Sequence, residues 1–283
     1  ASREGAVPSI LQGFSTGLKS VFAPVLCLAV VIILTYWTGG VYGVALAAVG
    51  MISFVASTLA VDMLGPIIDN AGGICEMANL SDDVRCITDR LDSIGNTTDA
   101  VAKGYAIGSA ALSAVSLFAA FLYSQVNGIP GGINEIVLNI ARPLPLTGVI
   151  VGAAVPYLFS GIITEAVSNA ARLMITEIRR QLKIDPSILR GEKKPDYRQC
   201  IDISSLGAIR RMKGPAFIGL GLPIGGGFLF GPEFVGGMII GATLSGVMLA
   251  FFTANSGSYW NSGKNLIEKM GRYGGKGSTS YGE

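Results

Sequence analysis

Three carboxylates, Asp62, Asp69 and Glu76, recur every seven residues in the stretch VDMLGPIIDNAGGICEM. On a continuous α-helix such a repeat drifts by only about 20° per step, so the three share one face. A line of acids leaving an otherwise apolar helix is an oxygen-rich surface suited to a hard cation such as Mg²⁺. A solvated helix extension whose acids balance nearby bases would carry the same spacing. A second group lies in TDRLDSIGNTTDAVAKGYAIGSAAL, where Asp89, Asp92, Asn96 and Lys103 follow at offsets of three, four and seven, largely one helical face. It combines acceptors with a cation. Either an anion is held there through metal and ammonium together, or the group is internal salt bridging with nothing bound. A third stretch, NSGSYWNSGKNLIE, sets Asn255, Asn261, Lys264 and Glu268 at helical spacing. Lys264 is there either a donor to phosphate or carboxylate or a snorkelling side chain at a helix end.

The 283-residue chain contains no His. That removes imidazole metal sites, Ser–His and Cys–His nucleophile pairs and His proton relays, and leaves carboxylates, Lys, Arg and oxygen-held metal to do any chemistry. Cys27, Cys75, Cys86 and Cys200 form no CxxC and no other metal-ligand spacing, so they read as free thiols facing a reducing compartment. The net charge of +2 is too near neutral for a nucleic-acid binder.

The elements that must position these residues are membrane helices. Half of the chain is hydrophobic and only 14% charged, with a mean hydropathy of +0.54. That composition predicts an all-α, polytopic transmembrane bundle rather than a soluble domain. Crossing a bilayer takes roughly 17 to 25 apolar residues, and six uncharged runs qualify, near 21–37, 41–61, 104–126, 143–164, 214–231 and 234–260. Turns at Gly39–Gly40 and at Pro232–Glu233 make the first two and the last two into hairpins. The expected organisation is an N-terminal segment 1–20, a single transmembrane domain 21–270 with long helix extensions on one side, and a Gly- and Ser-rich flexible tail 271–283. Ala1 in place of Met points to processing or to a longer parent chain.

With six spans, every Lys and Arg except Arg142 falls on the face that also holds both termini. By the positive-inside bias that face is cytosolic. Gly104 with Gly108, and Gly237 with Gly241 and Ser245, place small residues four apart for close helix packing.

The strings DNAGG (Asp69 to Gly73), TDRLDSIGNTTDAVAKGYAIGSAAL (Thr88 to Leu112), RRQL followed by KPDYRQCIDIS (Arg179 to Leu182, Lys194 to Ser204) and FLFGPEFVGGMIIGATLSGV resemble the membrane-bound, ion-pumping inorganic pyrophosphatases. The resemblance runs over nearly the whole chain. It implies an all-helical, generally homodimeric pump that couples hydrolysis of Mg²⁺-pyrophosphate to movement of H⁺ or Na⁺, in a vacuolar, acidic-organelle or other energised membrane. Members are much longer, and this chain looks like their second half without the last helix. Carried over by position, Asp69 matches a metal- and pyrophosphate-binding aspartate, Asn96 the asparagine of GNTT, and Lys264 the first lysine of WDNAKK, while Asp62 and Glu76 match accompanying acids. WDNAKK is here WNSGKN, so Asn261 and Asn265 replace an aspartate and a lysine. The position after GNTT, linked in the family to K⁺ dependence, is Asp99; K⁺ stands beside Mg²⁺ as an implied cofactor.

Two functions follow as expectations. One is the C-terminal part of a pyrophosphate-driven pump, working with an N-terminal portion or other membrane subunits, with pyrophosphate at cytosolic helix ends. The other is a catalytically inactive, pyrophosphatase-like structural subunit of a larger membrane complex. A secondary transporter, which would want broken helices near the midplane, ranks last.

Overall fold

The computed structural model describes residues 5–78, 80–125, 138–188 and 192–270, and all regular structure among them is helical. Seven α-helices follow in order: α1 Ala6–Ser20, α2 Phe22–Ser53, α3 Val55–Met77, α4 Asp82–Ser124, α5 Pro143–Ile184, α6 Tyr197–Phe230 and α7 Pro232–Met270, with a short 3₁₀ turn at Pro186–Ile188. The all-α expectation holds. By length and composition, four helical stretches are long and apolar enough to cross a membrane: Val7–Ser53, Asp83–Ser124, Pro143–Ile184 and Pro232–Lys264. The six-run reading differs in dividing the first of these and in adding the apolar half of α6. The tail 271–283 lies outside the described residues.

Within α2 the backbone leaves helical geometry at Gly39 and Gly40, the expected turn. Gly40 has φ 59° and ψ −149°, a conformation that side chains with a Cβ rarely adopt. The chain then returns so closely that a Cβ on Gly43 would lie 2.3 Å from the Thr35 carbonyl oxygen.

The chain divides into two compact units, residues 1–133 with 246–283, and 134–245. In the first, α3 and α4 pack against one another and α2 lies along α4. The α3–α4 contact is tightest at two glycines. A Cβ on Gly95 would sit 3.2 Å from the Gly65 Cα, so the small residues let the backbones meet. Segment 1–20, expected as an N-terminal segment ahead of the membrane domain, is helical from Ala6 and lies along the C-terminal part of α7. Phe14 meets Phe252 edge-on at 5.1 Å, the Trp260 indole N–H donates to the Ile10 carbonyl at 3.3 Å, and the Asn255 amide donates to Ser20 Oγ at 2.8 Å.

In the second unit, α5 and the start of α7 form a reciprocal glycine seam. Gly148 and Gly152 on α5 face the carbonyls of Phe234 and Met238, while Gly237 and Gly241 on α7 face those of Pro145 and Val149. The expected small-residue face at Gly237 and Gly241 therefore has a partner. Gly104 has nothing within 4 Å of a Cβ position and marks no such contact. At the head of the seam Arg142 pairs with Glu233 at 3.4 Å. Large apolar side chains on α6 face outward, Phe228 being 89% exposed; a surface of that kind suits lipid or another membrane helix rather than water.

Beyond the apolar part of α5, a polar clamp fixes the α5–α6 junction. The Arg180 guanidinium donates to both oxygens of Glu177, at 2.8 and 2.6 Å. The Gln181 amide donates to Glu177 at 2.9 Å and to the Asp196 carbonyl at 3.2 Å, and Gln181 Oε1 accepts from the Asp196 N–H at 2.8 Å. Asp196 in turn caps α6 by accepting from the Gln199 N–H. These bonds satisfy polar groups at the buried residues Glu177 and Gln181, which would otherwise be costly to desolvate.

Hydrogen bonds from Arg180 first, and Gln181 second, hold the Glu177 carboxyl down from its ordinary 4.5 to about 2. Because the folded value is depressed, this group's contribution to stability is complete above pH 4.5 and is lost as pH falls toward 2. Thermal unfolding of the chain in detergent, followed from pH 6 to pH 2, is expected to show such a loss. Glu177→Gln should flatten that slope without abolishing it, since Asp185 is also lowered to about 2 by Lys193 and Ser187. An unchanged acid slope in the variant would contradict this account.

Candidate functional site

Polar residues of the first unit gather at two places, the α3–α4 contact at Gly65 and Gly95 and a cleft between α4 and α7. Gly65 opposite Gly95 brings Asp62, one turn before the former, close to Asp99, one turn after the latter, whose Cβ lies 3.6 Å from a Cβ built on Gly65. Asp62 Oδ1 is buried without a hydrogen-bond partner among the described residues. Pro66 adds to the polarity there, because a proline at that place removes the N–H that would have bonded the Asp62 carbonyl. Asp99 carries Lys103 one turn further along α4, with Nζ to Oδ2 at 2.5 Å. Aspartate N-terminal to lysine at this spacing is the favourable order on a helix.

Asp99 and Lys103 form one wall of a cleft of about 460 Å³, and α7 forms the other through Thr253, Ser258, Asn261 and Ser262. Its α4 wall is held to α2 by the Tyr105 hydroxyl, which donates to the Met51 carbonyl at 2.6 Å. Its α7 wall is backed by α1 through the Asn255, Phe252 and Trp260 contacts. The cleft therefore offers one ammonium, one carboxylate, three hydroxyls and an amide, a set that can bind a polar anion or organise water.

Asn261 of the predicted site lies in this cleft, and Asp62 lies close to Asp99 of its α4 wall. Lys264 follows Asn261 by one turn and is exposed, as is Asp69, two turns beyond Asp62 on α3. Glu76 and Asn96 lie within α3 and α4, and their side chains are outside the described residues. The three acids of α3 are each about 10 Å apart along the helix axis at 1.5 Å per residue, too far for all three to share one ion. Among the described residues no group of three or more acids or thiols is gathered to hold a metal.

Asn255 does not join Asn261, because it points at Ser20 instead. Sequence reasoning placed Lys103 with Asp89 and Asp92, whereas its partner is Asp99. The signal was present as Asp99-x-x-x-Lys103, but the competing spacing of the motif acids obscured it.

Long apolar helices, an outward apolar surface and a cleft walled by carboxylate, ammonium and hydroxyls define an integral-membrane, all-helical protein with a polar site between its helices. Comparison with known proteins gives the family. The family described as inorganic H⁺ pyrophosphatase matches residues 1–282, and the chain belongs to it. The K⁺-stimulated pyrophosphate-energized sodium pump of Thermotoga maritima is 49% identical over 287 residues, covering 99% of this chain and 39% of that protein. The K⁺-insensitive pyrophosphate-energized proton pump of Methanosarcina mazei is 41% identical over 289 residues, covering 99% and 42%. A putative K⁺-stimulated pyrophosphate-energized sodium pump of Clostridium tetani is 42% identical over 288 residues, again covering 99% and 42%. The chain spans about two fifths of the length of the curated relatives it matches.

Proposed function

We propose that this chain contributes the C-terminal part of a pyrophosphate-driven pump for protons or sodium, binding Mg²⁺-pyrophosphate at the cytosolic helix ends. The observation that carries the reading is the cleft in which Asn261, from the WNSGKN stretch, faces Asp99 and Lys103, which follow GNTT: two motif segments distant in sequence meet at one polar site. Mg²⁺ enters as part of the substrate. It keeps several waters and takes one or two carboxylates together with phosphate oxygens, so single acids such as Asp69 and Glu76, about 10 Å apart, suit separate ions bridged by pyrophosphate. In this reading Lys264, one turn past Asn261, donates to a terminal phosphate oxygen. Relatives named as K⁺-stimulated support K⁺ as a second cation.

The remainder of the pump, from an N-terminal portion or a second subunit, completes the site in this reading, and the complex forms as a homodimer. Membranes carrying this chain together with that remainder should release phosphate in a pyrophosphate-dependent, fluoride-sensitive way. No release with all chains present would overturn the reading. It would favour instead a catalytically inactive structural subunit, for which the neutral Asn261 and Asn265 in place of an acid and a base are the specific support.

A further inference from the structure

The cleft between α4 and α7 contains an ammonium that is already committed. Lys103 is 46% exposed and Asp99 22%, so both open onto the cavity, yet Nζ lies 2.5 Å from Asp99 Oδ2 and the pair is closed within one helical turn. No rearrangement of α7 is needed to form or break it. The rest of the wall is neutral: hydroxyls of Thr253, Ser258 and Ser262 and the amide of Asn261. Asp99 is itself packed at the α3–α4 contact, its Cβ 3.6 Å from a Cβ built on Gly65, where Gly65 and Gly95 hold the two helices together. The carboxylate is thus anchored, whereas the Lys103 stem is flexible. An incoming phosphate must take the ammonium away from a carboxylate that cannot follow it.

We infer that Asp99 is a positioning residue that limits the anion affinity of this cleft by competing with phosphate for Lys103. The inference rests on the proposed pyrophosphate site and deepens it, because it makes Asp99 a determinant of how tightly the cleft holds a phosphate group. The pair is partly solvated, and exposed pairs of this kind are worth up to about 1 kcal/mol, which corresponds to about fivefold in a dissociation constant.

Trp260 adjoins Asn261, and Trp37 is the only other tryptophan. Trp37→Phe therefore leaves a single fluorescent reporter at the cleft, in which inorganic phosphate can be titrated against the full chain in detergent. Asp99→Asn is expected to bind phosphate about threefold to fivefold more tightly than the parent. Asp99→Glu, which can still reach Lys103, should return to the parent value. Lys103→Gln should weaken binding, and in the double variant Asp99→Asn with Lys103→Gln the gain should vanish.

Equal or weaker binding by Asp99→Asn overturns the inference, as does a gain that survives loss of Lys103. Absence of phosphate binding in all variants also overturns it. That outcome is distinguishable from failure of the pump reading, which is decided by pyrophosphate-dependent phosphate release from the assembled complex.

Discussion

Gly152→Ala is expected to destabilise the chain by about 3 kcal/mol, the upper end of the usual range for overpacking. The reason is what the added methyl group would meet. A Cβ at Gly152 falls 2.0 Å from the Met238 carbonyl oxygen and 2.7 Å from the Met238 Cα and carbonyl carbon. These are backbone atoms of α7, which cannot rotate away as the end of a side chain can, so the two helices must separate along the whole seam. Separation costs contacts at Gly148, Gly237 and Gly241 as well, because each of these also lies against a carbonyl of the opposite helix. Between apolar helices in lipid, packing of this kind is the main attractive term, since no hydrophobic gain compensates for its loss.

Gly104→Ala supplies the control. Nothing lies within 4 Å of a Cβ there, and alanine favours helix over glycine by about 1 kcal/mol, so that variant should be neutral or slightly more stable. Thermal unfolding in detergent, followed by loss of helicity, measures both. The seam account also requires Gly152→Ala and Gly241→Ala together to cost less than the sum of their single effects, because the first substitution already parts the helices. Equal stability of Gly152→Ala and Gly104→Ala would remove the seam as a source of stability.

The same contrast shows what could be read in advance. Gly237 and Gly241 were legible as a packing face because four-residue spacing of small residues has a direct geometric meaning. Gly148 and Gly152 have that spacing too, but in a run already rich in small and apolar residues their meaning depends on which helix lies opposite. The turn at Gly39–Gly40 could be read from local chemistry. Helix α1 was legible too, since Val7, Ile10, Leu11, Phe14 and Leu18 have amphipathic helical spacing, but the stretch is too short for a span, and its partners Phe252, Asn255 and Trp260 lie about 240 residues away in sequence. The site divides in the same way. Motif residues lie on α3, α4 and α7, but the approach of Asp62 and Asp99 is created by the Gly65–Gly95 contact, and no spacing along one helix reports a contact across two.

If the proposed pump reading holds, Asp69→Asn is expected to weaken binding of a magnesium-complexed, non-hydrolysable diphosphonate to the assembled complex by about 10- to 150-fold, the equivalent of one charged contact worth about 1.5 to 3 kcal/mol. The substitution keeps the shape and one carbonyl oxygen but removes the formal charge that a hard cation seeks. Asp69 is exposed on α3 and well separated from the Asp62–Asp99 pair, so its loss should leave the fold intact; unchanged thermal unfolding of the variant checks this. Asp202, exposed on α6 and assigned no part in the site, gives the matched control as Asp202→Asn, for which affinity should not move. The converse substitution, Asn261→Asp, adds a carboxylate to a cleft that already holds Lys103, and should strengthen the magnesium dependence of binding. Calorimetric titration with and without Mg²⁺ reads all three variants. The solvated-extension alternative for the α3 acids predicts the same small change for Asp69→Asn as for Asp202→Asn. That result, obtained in a complex that still binds the diphosphonate, would retain the pump and move its metal-binding acids away from Asp69.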